Sequence, residues 1–144
     1  MSTIDLETAN KMIANGVAFA REKNMKPLTF CVLDTGGHLV SAQREDGSGI
    51  LRFEIAFGKA WGGLGMGHST RYLQEHLAKT RPRFVDALAV ASDGRFIPVL
   101  GGVLIRDSAG AVVGALGITG DTAENDELVA IEAVQRTGLV ADTD

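Results

Sequence analysis

Apolar residues near the start of the chain recur every three or four positions, at Leu6, Ala9, Ile13, Val17 and Ala20. This spacing is typical of an amphipathic helix, and it predicts one that ends near Asn24, ahead of Pro27. Ser2, followed three residues later by Asp5, predicts the N-terminal cap of this helix.

The next apolar positions follow strand spacing. Residues 28–33 form a continuous apolar and β-branched run, residues 38–44 alternate, and turn-forming residues 35–37 lie between them. This pattern predicts a β-hairpin. Residues 102–106 and 112–119 form a similar pair joined by a short polar turn, so we expect a second hairpin and a mainly antiparallel sheet.

The segment between the hairpins predicts a long helix with an unusual face. Residues 50–66 are too many, and too rich in Ala, Phe and Leu, for a strand. Gly58, Gly62 and Gly65 fall on one helical stripe, although each glycine costs about 1 kcal/mol relative to alanine. We therefore expect close packing on this stripe, either by a neighbouring helix from this or another subunit or by a flat ligand.

Three further helices are predicted in the second half of the chain. One is capped by Ser69 or Thr70, a short one covers residues 84–91, and the last is capped by Asp121 or Thr122. The order helix, hairpin, helices, hairpin, helix predicts an α+β sandwich.

Composition restricts the possible partners. The chain has 144 residues, 45% of them hydrophobic, which predicts one core and a single domain over residues 1–144. A net charge of -4 with scattered basic residues argues against nucleic-acid binding. No secretory signal or membrane-spanning stretch is recognisable, so we expect no membrane association and a cytoplasmic location. The lone Cys31 is expected in the core.

Several common motifs are not formed. Gly58-Lys59 lacks the following hydroxyl residue of a phosphate-binding loop. The glycines at positions 63–67 end a helix instead of following a strand, which excludes a dinucleotide fingerprint. One cysteine and three histidines are too spread out for structural zinc, and Ser48 lacks the sharp elbow of a hydrolase nucleophile.

The stretch Val32 to Val40, VLDTGGHLV, followed by Arg44, Asp46 and Gly47, resembles the GlcG/HbpS-like haem-binding family, which includes the PduO C-terminal domain. Further segments agree with that family in the same order along the chain. They are Ile55-Ala56, Lys59-Ala60, Gly67 with Thr70, Phe96-Ile97-Pro98, Gly101-Gly102-Val103, Ile105-Arg106, Gly114-Ala115 with Gly117, and Asp126-Glu127. The chain departs from the family where Leu104 replaces a usual proline and where Gly62-Gly63 replace Ala or Thr.

The resemblance implies a profilin-like α+β sandwich with an antiparallel sheet of about five strands. It also implies homo-oligomer formation and, for some members, non-covalent haem binding. Other members resemble accessory proteins of small-molecule catabolism.

Candidate site residues follow from the second strand and from the resemblance. Alternation would place His38, Val40, Ala42 and Arg44 on one face, so His38 is a candidate axial ligand of haem iron. Asp34 could orient His38, and Arg44 or Lys59 could bind propionates. The remaining candidates for contact with the cofactor are Phe96, Gly101 and Gly102. Each polar candidate also has a structural alternative, such as a turn-bonded His38 or a snorkelling Lys59.

Three functions remain open from the sequence. The first is a protein that binds haem or another small ligand. The second is a small catabolic enzyme acting on an organic acid, with His38 as general base and Arg44 or Lys59 as the anion clamp. The third is a non-catalytic oligomeric scaffold. The ligand hypotheses assume that the glycine tracts converge on a cavity bordered by cationic side chains.

Overall fold

Helices cover both faces of one antiparallel sheet in the computed structural model, which describes residues 1–144. The strands are β1 (Thr29–Leu33), β2 (Leu39–Arg44), β3 (Gly102–Arg106), β4 (Val112–Thr119) and β5 (Val140–Asp142), in spatial order β2-β1-β4-β3-β5. The helices are α1 (Leu6–Glu22), α2 (Arg52–Met66), α3 (Thr70–Tyr72), α4 (Pro82–Ala91) and α5 (Ala123–Gln135); a π-helical segment, Leu73–Ala78, continues α3. The predicted fold class, including the five-stranded antiparallel sheet, is confirmed.

The alternation of side chains along the central strands divides the core into two layers. Phe30 and Val32 of β1 pack on the side of α1 and α5, whereas Cys31 and Leu33 pack on the side of α2. Two helices therefore cover one face of the sheet and α2 covers the other. None of the helices combines the length and the apolar character needed to cross a membrane.

Glycines in β3 and β4 let α2 lie very close to the sheet. A Cβ on Gly117 would lie 1.9 Å from the carbonyl oxygen of Ala56, and one on Gly102 would lie 2.5 Å from that of Lys59. Side chains at these strand positions would push the helix away, because no real Cβ tolerates such distances. The glycine-rich strands thus determine the depth at which α2 sits.

The helix caps confirm most of the predicted boundaries and correct one. Ser69 caps α3 and Thr122 caps α5, each accepting a hydrogen bond from the amide three residues on. Asp5, not the predicted Ser2, caps α1, and its Oδ1 accepts a 2.8 Å hydrogen bond from the amide of Thr8. The helix after Ser69 also has a π-helical second part that the apolar pattern did not predict.

A β-bulge interrupts the alternation of β2. Val32 pairs with Ser41 but Leu33 pairs with Leu39, which leaves Val40 as an extra residue. Val40 packs with the core on the α1 side, whereas Ala42 pairs with Cys31 and faces α2. The predicted common face for residues 38, 40, 42 and 44 is therefore wrong.

Asp121 ties the start of α5 to the loop before β1. Its carboxylate accepts hydrogen bonds from the Lys26 amide at 2.8 Å, the Thr122 amide at 2.8 Å and Asn125 Nδ2 at 2.7 Å. These bonds, led by the one from Lys26, lower the pKa of Asp121 to about 2 from its usual 3.8.

The depressed pKa of Asp121 predicts a loss of stability in acid. The stabilisation is fully present above the unfolded pKa and is lost as the pH falls through the folded pKa. We expect D121N to flatten the pH dependence of the free energy of unfolding between about pH 4 and about pH 2. Urea denaturation at a series of pH values measures this slope, and a variant with the parent's slope would contradict the assignment.

Candidate functional site

The outward face of α2 carries the chain's only tryptophan between two surface clefts. The first, called here the Trp61 cleft, has a volume of about 210 Å³ and lies between α2 and α4. Its apolar walls are Trp61, Met66, Leu88, Ala91 and Phe96. The second, about 140 Å³, lies between α2 and the turn of the first hairpin, and it shares Trp61 with the first. The two clefts are thus neighbours, and the indole ring of Trp61 forms part of the wall of each.

His38 lies on the hairpin turn beside the second cleft. A Cβ on Gly36 would lie 2.8 Å from the His38 ring, which shows how closely the imidazole covers this turn. His38 Nδ1 is 3.2 Å from Asp34 Oδ1, and the His38 side chain is 82% exposed. Asp34 Oδ1 also accepts hydrogen bonds from the amides of Gly36 and His38, both at 2.9 Å. Asp34 thus bonds the backbone of its own turn, which is its structural alternative, and it also contacts the His38 ring.

The Asp34 carboxylate also determines which imidazole nitrogen is available. The backbone hydrogen bond from His38 is the main cause of a lowered pKa at Asp34, so this carboxylate stays charged. The 3.2 Å contact between Nδ1 and this carboxylate favours a proton on Nδ1, which leaves the Nε2 lone pair free, as in many metal-ligating histidines. No three His, Cys, Asp or Glu side chains are arranged to hold a bare metal ion.

Arg95 supplies a cation at the Trp61 cleft. Its guanidinium carbon is 4.4 Å from the centroid of the Trp61 ring. Its Nε donates a 2.8 Å hydrogen bond to the carbonyl of Ser92, and its terminal nitrogens make no hydrogen bond within the protein. The terminal nitrogens can therefore bind a carboxylate at the mouth of the cleft.

Lys59 does not border a cleft. Its side chain is 2% exposed, and Nζ donates to the carbonyl of Ile118 at 2.9 Å and to Asp126 Oδ2 at 3.3 Å. Asp126 is equally buried. Lys59 thus joins α2 to β4 and α5. The sequence predicted that Lys59 binds either a haem propionate or the carboxylate of a substrate, and its buried position contradicts both predictions.

Gly101 and Gly102 face packed protein and not a ligand space. A Cβ on Gly101 would lie 2.5 Å from the Ile118 carbonyl oxygen, and one on Gly102 would meet Thr70 at 2.7 Å. On α2, Gly58 is covered as well, because a Cβ there would lie 2.4 Å from Ile97. The close packing predicted on the α2 stripe is present, but the loop after α4 supplies it. Gly101 and Gly102 therefore border no cavity, whereas Gly62 and Gly65 line the Trp61 cleft and Gly36, Gly37 and Gly65 line the second cleft.

Arg44 lies at the opposite end of β2 from His38. Six residues of strand separate them by about 20 Å. Arg44 Nη1 donates a 2.7 Å hydrogen bond to the carbonyl of Ser48 at the start of the following loop. The structure therefore does not bring His38 and Arg44 together. The prediction of an active site with His38 as general base and Arg44 as anion clamp is wrong.

Of the predicted cofactor contacts, Phe96 lines the Trp61 cleft, and Asp34 and His38 lie beside its neighbour. Sequence reasoning missed Trp61, Met66, Leu88 and Arg95. One signal was available: Phe53, Phe57 and Trp61 recur every four residues on a helix whose other stripe is glycine. All three aromatic side chains are at least partly exposed in the structure.

The fold and the cleft together define a profilin-like α+β protein with a small apolar surface site. The chain belongs to the family described as HbpS-like haem-degrading proteins, whose model matches residues 4–135. The family predicted from the sequence is thus confirmed.

Individual relatives agree with this membership. An uncharacterised 15.0 kDa protein from the dhaT-dhaS intergenic region of Citrobacter freundii is 30% identical over 134 residues, covering 93% of this chain and 92% of the relative. The crystal structure of Klebsiella pneumoniae protein ORFY has a TM-score of 0.85 and 28% identity, covering 96% of this chain and 92% of ORFY. The PduOC:heme complex has the same fold, with a TM-score of 0.85, 20% identity and coverage of 98% and 99%.

Proposed function

We propose that this protein binds haem non-covalently, with one edge of the macrocycle in the Trp61 cleft and His38 Nε2 as an axial ligand. The observation that carries the proposal is an exposed imidazole beside the second cleft and a guanidinium that stacks on Trp61, the aromatic residue that the two clefts share. Membership in the HbpS-like family and the haem complex of PduOC support it. An accessory role in a catabolic pathway and assembly into a homo-oligomer stay predictions.

The residues present fit the requirements of haem. Haem needs apolar walls, an axial donor and cations for its propionates. Trp61 and Phe96 supply walls, His38 the donor and Arg95 the cation. Cys31 is excluded as a ligand, because burial raises its pKa to about 12 and keeps the thiol protonated inside the core.

The size of the cleft suggests how haem would enter. A volume of about 210 Å³ is below the roughly 300 Å³ of a typical ligand pocket, so the cleft can hold an edge and not the whole ring. Helix α4, which forms its outer wall, has no fully buried residue. An outward shift of α4 would expose little core and would widen the cleft at small cost.

Bound haem supplies a redox-active iron, while the chain supplies orientation and electrostatics. Asp34 holds the imidazole of His38 by its Nδ1, which directs Nε2 away from the turn. Arg95 binds a carboxylate at the cleft mouth and stays aligned by its stacking on Trp61. Trp61 and Phe96, which line the cleft, would shield a bound haem from water.

Titration with hemin tests the proposal through the Soret band. We expect saturable binding by the parent protein and a Kd at least tenfold higher for H38A, with a changed Soret position because an axial ligand is lost. His76, which is exposed and lies outside both clefts, provides the matched control H76A. No saturable spectrum in the parent, or equal spectra and Kd values for H38A and H76A, would contradict the assignment.

A second pair of variants tests the cleft itself. Ala91 lines the Trp61 cleft, whereas Ala87 on the same helix is exposed and lines no cleft. We expect A91W to block hemin binding by filling the cleft and A87W to bind as the parent does. Equal binding by both variants would place haem elsewhere.

A further inference from the structure

A separate cleft of about 320 Å³ lies at the end of β2 farthest from His38, beside the start of α2. It is lined by Thr29, Ala42, Gln43, Arg44, Ile50 and Phe53. Ile50 is 92% exposed and Phe53 is 36% exposed, so large apolar side chains form one wall in contact with solvent. None of the six residues carries a donor that haem iron favours, which separates this cleft from the proposed haem site.

Two arginines without carboxylate partners lie in this region: Arg44 lines the cleft, and Arg52 precedes the cleft residue Phe53 at the start of α2. Arg44 Nη1 donates to the Ser48 carbonyl at 2.7 Å, and Arg52 Nη1 donates to Thr119 Oγ1 at 2.9 Å. Thr29 links the two, because it pairs with Thr119 across the sheet and its hydroxyl lies 2.8 Å from that of Ser48. The two residues that accept hydrogen bonds from the guanidiniums, Ser48 and Thr119, therefore both neighbour Thr29.

The acidic side chain next to Arg44 in the sequence is paired with other groups. Glu45 follows it in sequence, but Glu45 Oε2 is 3.2 Å from Arg21 Nε and Glu45 Oε1 accepts a 2.9 Å hydrogen bond from the Leu28 amide. Arg44 has used one of its five donors and Arg52 one of its own. The charges of Arg44 and Arg52 thus have no carboxylate partner within the protein, and they lie near the apolar wall formed by Ile50 and Phe53.

We propose that this cleft binds a small organic acid, with the carboxylate held by Arg44 and Arg52 and the apolar body resting on Ile50 and Phe53. A guanidinium matches a planar carboxylate through paired hydrogen bonds. The exposed apolar wall favours an acid with a ring or a short hydrocarbon chain over a fully polar anion. This site is independent of the haem site, so the two proposals can fail separately.

Benzoate is a suitable probe, because it joins a carboxylate to one apolar ring. We expect amide signals of residues 43–53 to shift on titration of the ¹⁵N-labelled full chain, while benzamide, which lacks the charge, binds at least tenfold more weakly. We expect inorganic phosphate, which lacks the ring, also to bind at least tenfold more weakly. Shifts scattered over the surface, or equal affinity for benzoate and either comparison compound, would overturn the proposal.

Arginine variants assign the site to residues. We expect R44Q to raise the Kd for benzoate about tenfold, equivalent to about 1.4 kcal/mol, and R52Q to raise it by a smaller factor. Arg83 is exposed and lies outside this cleft, so R83Q is the matched control and should bind as the parent does. Far-ultraviolet circular dichroism checks folding of each variant, and equal Kd values for folded R44Q and R83Q would refute the assignment.

Discussion

Replacing Gly117 by alanine is expected to lower the free energy of unfolding by about 3 kcal/mol or more. The new Cβ would lie 1.9 Å from the carbonyl oxygen of Ala56 and 3.0 Å from the amide nitrogen of Ala60. Both contacts are to helix backbone, so a change of rotamer cannot relieve them. The helix α2 must move outwards, which breaks its packing on Cys31, Leu33 and Leu104.

Gly65 provides the matched control for this substitution. It lies in α2, and a Cβ there would meet only Trp61, at 4.0 Å. G65A should therefore leave stability unchanged or raise it by a few tenths of a kcal/mol, because alanine favours helix. Urea denaturation of the two variants measures the difference. If G117A were as stable as G65A, α2 would not depend on the glycine for its position.

The close approach of α2 also explains why glycine signals misled the search for a site. The glycine stripe of α2 does indicate close packing, as the sequence predicts for Gly58 and Gly62. The partner of Gly117 is the backbone of α2, however, and the partner of Gly58 is Ile97. Sequence alone cannot distinguish a helix or loop from a flat ligand, because all three need the same missing Cβ.

Local signals predicted most of the fold. Both hairpins, the long α2 and the cap at Thr122 follow from turn chemistry and apolar spacing. The three-residue β5 has too few positions to show alternation, and it exists because its residues pair with the edge of β3. The bulge at Val40 likewise could not be predicted, because Val40 packs against the core on the α1 side and the local sequence shows no bulge signal.

The candidate site was harder to predict, since its residues come together only in the folded chain. Asp34 and His38 are four residues apart on one turn, and their pairing was foreseen. Trp61 lies on α2 and Leu88 on α4, and local sequence patterns do not predict how these two helices are placed relative to each other. Lys59 was misplaced for the same reason, because Asp126 is 67 positions away in the sequence.

The second large effect is expected for D126A, which should lower the free energy of unfolding by about 3 to 5 kcal/mol. Lys59 and Asp126 are both 2% exposed, with Nζ and Oδ2 3.3 Å apart. Burial lowers the pKa of Lys59 and raises that of Asp126, and each charge opposes the shift of its partner. Removing the carboxylate leaves a buried ammonium whose remaining acceptor is the Ile118 carbonyl.

The opposite single substitution should cost less. In K59M the methionine refills the apolar path of the lysine stem, and Asp126 Oδ1 still accepts a 3.0 Å hydrogen bond from the Asp121 amide. Its raised pKa also lets Asp126 take up a proton in place of the lost partner. D126A should therefore destabilise the protein more than K59M does.

The double variant K59M/D126A separates the ion pair from the packing around it. It should be more stable than D126A by about 1 kcal/mol or more, because it contains no unpaired buried charge. Urea denaturation of the four proteins gives the coupling energy directly. Additive losses would mean that the two side chains act independently, and the ion pair would then not be what holds α2 to β4 and α5.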